Sequence, residues 1–231
     1  MPRGFILPAL RLSLVGTAVL ALVGCLQLEQ KLLLNGDGSM AVSYHYSVAA
    51  DSEALLSSGA SIIQGWQARN PGGDAWFTSE DAVRQHFGAA GVKLQKYRSY
   101  VAGGRRHVEM LLFAEAGPAA LNAGLFGPLR CARLPNGRVR LSVELPAVPP
   151  KADGLTPEAL VALSQGLSLA LEISVPGEIV ETTAPTRERT FVRWEFDPAK
   201  DASFLRSPPR LECTFEAKNI EWAARLPAAA P

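Results

Sequence analysis

Apolar and polar residues alternate with a period of two along much of this chain, in short runs cut apart by glycine-rich turn signals. No other feature constrains the fold as strongly, because a period of two puts every second side chain on one face of a strand. Met40, Val42, Tyr44, Tyr46 and Val48 alternate with Ala41, Ser43, His45, Ser47 and Ala49. The preceding segment alternates as well. Leu26, Leu28, Leu32 and Leu34 share a face that Gln30 interrupts, with Gln27, Glu29 and Lys31 opposite. Between the two runs lies Asn35-Gly36-Asp37-Gly38-Ser39, whose residue types supply the positive-φ positions of a tight reversal. A hairpin is predicted there.

The same pattern recurs downstream. Val92 to Val101 and Arg105 to Ala114 flank Ala102-Gly103-Gly104, and Arg130 to Leu134 and Arg138 to Leu145 flank Pro135-Asn136-Gly137. Leu169, Leu171, Ile173 and Val175 alternate into Pro176-Gly177. Ile179 to Thr183 and Thr190 to Phe196 predict a further strand pair, and Leu211 to Phe215 a last strand. Helical spacing replaces alternation over 52–67, where Leu55, Leu56, Ile62, Ile63 and Trp66 share a face. It returns after Ser79, with Val83 and Phe87 one turn apart, and after Thr156-Pro157-Glu158, with a shorter helical piece from Pro118 to Leu125. The expected fold class is therefore α+β: a mostly antiparallel sheet of short hairpin-connected strands with about three helices packed on one face.

The N-terminus carries a different signal. Residues 1–24 contain Arg3 and Arg11 and no acid, and Leu12 to Val23 is apolar apart from Ser13, Gly16 and Thr17. That stretch has signal-peptide length and is short for a bilayer span. It ends in Leu22-Val23-Gly24-Cys25, which resembles the lipobox of bacterial lipoproteins. The resemblance implies cleavage between Gly24 and Cys25 and a diacylglyceryl group on the Cys25 sulfur. It makes membrane lipid the first partner, through two or three acyl chains whose buried methylenes contribute about 0.8 kcal/mol each. Leu26 rather than Asp implies sorting to the outer membrane, facing the periplasm, in a Gram-negative source. The chain then divides into a signal peptide (1–24), one lipidated domain (25–224) and a disordered Pro/Ala-rich tail (225–231).

Loss of residues 1–24 removes two of the 23 basic residues and none of the 22 acidic ones. The mature chain is thus close to neutral, which argues against nucleic acid and against a charge-driven attraction to anionic lipid. With Cys25 acylated, Cys131 and Cys213 remain as an even pair, 82 residues apart. A bridge between them would contribute roughly 4–5 kcal/mol by chain entropy; two buried thiols that never meet fit the sequence equally. His45, His86 and His107 lack metal-ligand spacing, and there is no His-Glu-x-x-His, Cys-x-x-Cys or Gly-x-Ser-x-Gly motif. No metal, cofactor or catalytic set is expected. Trp66, Trp76 and Trp194 are the side chains best able to line a site for an acyl chain or sugar, and each also suits core packing.

Taken together, Leu34-Asn35-Gly36-Asp37-Gly38-Ser39, Val175-Pro176-Gly177-Glu178-Ile179-Val180 and Val192-Arg193-Trp194-Glu195-Phe196-Asp197 resemble the lipoprotein domain typified by mycobacterial LppM. The likeness spans roughly 25–48 and 171–197. It implies an α+β domain with a hydrophobic cavity for envelope lipids or lipoglycans, and no catalytic residues. The function expected is a non-enzymatic, membrane-anchored envelope lipoprotein that binds a lipid or other amphiphile, or an envelope partner. The alternatives are an assembly factor gripping another envelope protein and, behind it, an envelope hydrolase.

Overall fold

The computed structural model describes residues 27–49, 79–143, 167–197, 200–201 and 207–229. Strand makes up 51 % of these residues, arranged in a seven-stranded and a four-stranded sheet. This corrects the α+β expectation of one sheet under about three helices: the described residues hold two short α-helices. The physical reason lies in the alternation itself. A strand that buries every second residue needs an apolar layer opposite, and here strands supply much of that layer. The expected helices over 52–67 and from Thr156 to about Leu167 lie outside the described residues.

The large sheet is built from β1 (Gln27–Leu34), β2 (Met40–Ala49), β3 (Lys93–Ala102), β4 (Arg105–Ala114), β7 (Ser168–Ser174), β9 (Thr186–Arg187) and β10 (Phe191–Phe196). Its order is β3-β4-β2-β1-β7-β10-β9. The β1–β2 and β3–β4 hairpins form as the sequence predicts. The β1–β7 pairing is parallel, a long-range contact that local alternation does not signal. The small sheet runs β5-β6-β11-β8, from β5 (Leu129–Arg133), β6 (Val139–Val143), β8 (Ile179–Thr182) and β11 (Leu211–Phe215). The predicted pair of 179–183 with 190–196 is therefore split, with β8 in the small sheet and β10 in the large one.

The chain leaves the large sheet for the small one at Pro176-Gly177, between β7 and β8. A Cβ on Gly177 would lie 1.9 Å from the Glu216 carbonyl oxygen, so only glycine lets the chain pass from one sheet to the other here. The β1–β2 turn has a similar requirement. Gly38 has φ 88°, and the Trp222 ring lies where its Cβ would go, with Cδ1 3.0 Å away. Asp37 Oδ1 accepts from the Ser39 amide (2.8 Å) and hydroxyl (2.7 Å), and the Trp222 indole N–H donates to the Asn35 carbonyl (3.2 Å).

Helix α1 (Glu80–Gly88) is capped by Ser79, whose hydroxyl accepts from the Ala82 amide at 3.2 Å. It packs on β3, and α2 (Gly117–Asn122) packs on β5 and touches β2, so α2 joins the two sheets. The apolar faces of both sheets, with Phe87, Phe126 and Trp222, form one buried cluster. Residues 227–229, expected as disordered tail, instead pair with the edge of β5. The Arg133 amide donates to the Pro227 carbonyl, and the Ala229 amide donates to the Arg133 carbonyl, both at 2.9 Å. An edge strand's spare backbone groups supply the reason.

Candidate functional site

The inner face of the large sheet is graded along its strands. One row across six strands, Leu94–Leu112–Val42–Leu32–Ile173–Val192, is buried throughout. The next row toward the start of β1 is Tyr97–Met110–Tyr44–Gln30–Leu171–Trp194. Here Tyr97 and Tyr44 are only half-buried. One row further, Ser99–Val108–Tyr46–Leu28–Leu169–Phe196, three of the apolar residues (Leu28, Leu169, Phe196) are half-buried. The core thus loosens toward the end where β1 begins.

Gln30 sits where the dry core meets this looser strip and is 0 % exposed. Its Nε2 donates to the Tyr44 hydroxyl (3.0 Å) and the Phe126 carbonyl (3.4 Å). Its Oε1 is buried with no hydrogen-bond partner. A buried, unpartnered acceptor costs about 1–3 kcal/mol, so its presence asks for a ligand or a solvent contact to explain it. The Phe126 ring stacks on Phe87 of α1 with centroids 5.5 Å apart, which holds the carbonyl that Gln30 reaches. Desolvation pushes the Tyr44 hydroxyl pKa up, so it stays a protonated donor. Together these groups form an apolar strip with one amide and one phenol at its inner end. That arrangement suits a molecule with a polar head and an apolar body.

The outer face carries charged and aromatic side chains. Near its middle, Lys31 reaches Glu29 (3.2 Å) and Glu172 (3.1 Å), while Arg193 pairs with Glu172, Glu29 (3.3 Å) and Glu195 (3.3 Å). Burial pulls the Lys31 ammonium down, but its hydrogen bonds to Glu172 and Glu29 outweigh this and hold it above the usual lysine value. Toward the start of β1, the β2–β4 pairing joins two histidines that stand 62 positions apart in sequence. His45 Nε2 and His107 Nδ1 are 3.3 Å apart, and His107 stacks on Tyr100. The Tyr100 hydroxyl donates to Glu109 at 3.0 Å.

Of the residues singled out by sequence, Gly24, Cys25, Trp66 and Trp76 lie outside the described residues. Trp194 lies in the Gln30 row, 3 % exposed, with its indole N–H donating to Thr183 Oγ1 at 3.3 Å. Cys131 and Cys213 are free thiols, the second of the two alternatives that the sequence leaves open. Both are paired in register with Leu141 of the strand between them. Two strand spacings put their Cα atoms about 10 Å apart, beyond the roughly 7 Å that a disulfide tolerates. Burial pushes both thiols up to about 12, with the Cys213 charge adding to the effect on Cys131, so neither is a reactive thiolate. Gln30 was visible in the sequence as the polar break in a leucine row; its loss of solvent and its pairing with Tyr44 were not.

Comparison with solved structures finds a likeness to the NMR structure of the folded domain of Mycobacterium tuberculosis LppM. The TM-score is 0.45 at 11 % identity, over 83 % of this chain and 89 % of that one. No family model and no curated protein sequence matches the chain. Among the described residues, no helix is long and apolar enough to cross a membrane, and no cluster of three or more His, Cys, Asp or Glu is placed to hold a metal.

Proposed function

We propose that this chain is a non-enzymatic envelope lipoprotein, tethered through acylated Cys25, that binds a lipid or similar amphiphile on the inner face of its large sheet. Membrane lipid is its anchor partner, and the outer membrane, facing the periplasm, is its place in a Gram-negative cell. The observation that carries the binding half is the buried Gln30 Oε1 without a partner, at the inner end of a half-buried apolar strip. A headgroup hydroxyl or amide would donate to Gln30, and the apolar body would lie along Leu28, Leu169 and Phe196. The strip opens toward Gln27, two residues from Cys25, so a ligand would not have to cross much water to reach it.

Two measurements test the two halves. Thiol titration of the purified, denatured protein should count two thiols, Cys131 and Cys213; a count of three would mean that Cys25 carries no acyl group. Native mass spectrometry from mild detergent should show a retained lipid that Gln30→Leu releases. Retention unchanged by the substitution would move the ligand elsewhere or remove it.

A second reading rests on the far end of the outer face. Leu33 is 48 % and Leu111 37 % exposed, an apolar surface that would suit an assembly factor gripping another envelope protein. A stoichiometric protein partner, lost on Leu33→Asp, would favour it.

A further inference from the structure

The near-neutral charge of the whole chain conceals a local imbalance. Between Lys96 and Glu109 the β3–β4 hairpin carries Lys96, Arg98, Arg105 and Arg106 against one carboxylate, Glu109. Lys96, level with Lys31 near the middle of the sheet, lies 4.0 Å from Glu109, and the fold gathers Arg98, Arg105 and Arg106 toward one end. Arg105 Nε donates to Ser47 Oγ (3.0 Å), and its terminal nitrogen to the Ser47 hydroxyl (2.9 Å) and carbonyl (3.0 Å), which fixes that charge against β2. Arg98 lies over the Tyr100 ring, 4.5 Å from its centroid. Gly103 and Gly104, with φ 57° and 71°, make the turn tight, and Val101 beside it is 57 % exposed. An exposed aliphatic, a tyrosine and several arginines on one blunt tip is the composition of a membrane-interface contact.

Register places this tip beside the chain's own N-terminal link. Gln27 pairs with Ser47, Ser47 with His107, and His107 with Tyr100. Ala49, two residues beyond Ser47, pairs with Arg105, and Arg105 with Ala102. Two residues of chain span at most about 7 Å, so Cys25 cannot lie further than that from Gln27, and the tip stands at about the same height. The apolar row of Leu33 and Phe113, joined through Ala41, is six residues up β1, roughly 20 Å away at about 3.3 Å per residue. That is well beyond the ~8 Å reach of charges in physiological salt.

We infer that the β3–β4 hairpin tip is a second membrane contact, docking on anionic lipid headgroups and standing the large sheet upright beside its anchor. The inference rests on the acylated-Cys25 reading for its placement. Its occupant is an anionic bilayer surface, since the tip is cationic and stands at about the height of the lipid link. Docked this way, the open end of the inner strip faces the leaflet and the Leu33 end points away from it. Hairpin docking weakens by about five-fold for each basic side chain removed.

The test uses the full-length protein purified from membranes and placed in vesicles containing phosphatidylglycerol or only phosphatidylcholine. Val101→Trp and, as the far-end control, Leu33→Trp are each compared with the unsubstituted chain for quenching by lipids brominated in the acyl chains. The expected result is quenching of the indole at position 101 in phosphatidylglycerol vesicles, reduced about five-fold by Arg98→Gln and by high salt, with none at position 33. Equal quenching at both positions, or no dependence on anionic lipid, overturns the inference. Should Val101→Trp disturb the hairpin, hydrogen exchange of the unsubstituted protein decides: slowed exchange over 98–106 on anionic vesicles supports docking, and unchanged exchange overturns it. The intact mass of each preparation reports separately on Cys25. Quenching absent with an acylated Cys25 sinks only the hairpin contact; quenching present with an unmodified Cys25 sinks only the anchor.

Discussion

The two sheets differ in what they bury. In the four-stranded sheet Leu129, Cys131, Val139, Leu141, Val143, Ile179, Leu211, Cys213 and Phe215 are each 2 % exposed or less, and the polar residues in register with them, Arg133 and Thr182, stand on the two edge strands. The seven-stranded sheet buries one row equally well, then admits Gln30, then grades into half-buried residues. A face whose centre is dry contributes stability and little else. A face with one unpartnered acceptor and a loosened end gives up some stability where a ligand could restore it. The small sheet therefore holds the fold, and the large one carries the residues of the proposed lipid site.

Substitutions sharpen this contrast. Phe215→Ala, in the small sheet, removes a fully buried ring that lies 6.5 Å from the Trp222 ring; it should cost about 3–5 kcal/mol in urea unfolding. A cost below about 1 kcal/mol would deny that sheet its structural role. On the outer face of the large sheet, Glu172→Gln takes a carboxylate away from Lys31 and Arg193. It should cost about 1 kcal/mol and less in high salt, as partly solvated pairs do.

Gln30→Leu should shift stability by no more than about 1 kcal/mol in either direction. It removes two hydrogen bonds and a buried orphan acceptor together. A loss as large as that of Phe215→Ala would make Gln30 a core residue like the rest and break the comparison. The smallest effect concerns His86 on α1. Burial holds its imidazole below the usual value of 6.5, so the folded form prefers it neutral. As pH falls below 6.5 the unfolded chain takes up the proton first, and stability drops slightly. Urea midpoints at neutral and mildly acidic pH should show this drop, and His86→Gln should remove it.

The hairpins were legible because each combines alternation with its own turn chemistry: Asn35 to Ser39 for β1–β2, Gly103-Gly104 for β3–β4, and Asn136-Gly137 for β5–β6. The Ser79 cap of α1 was legible for the same local reason. What failed involved partners distant along the chain. Val192, Trp194 and Phe196 showed that β10 has a buried face but not that β7 is its neighbour. Cys131 and Cys213 both read as buried strand cysteines, yet nothing local reveals that Leu141 lies between them.

Taken alone, the sequence determined which residues extend, where the chain turns, which side chains leave water, and that residues 1–25 resemble an export and lipid-attachment signal. Each of these rests on interactions within a few residues of the chain. Only the tertiary structure decided that strands form two layers, that Gln30 loses solvent against Tyr44, and that Arg98, Arg105 and Arg106 of a near-neutral chain stand close to the level of Gln27. Those outcomes depend on which strand pairs with which. Pairing is settled by burial and backbone hydrogen bonding summed over the whole molecule, and a local pattern of alternation is compatible with many pairings.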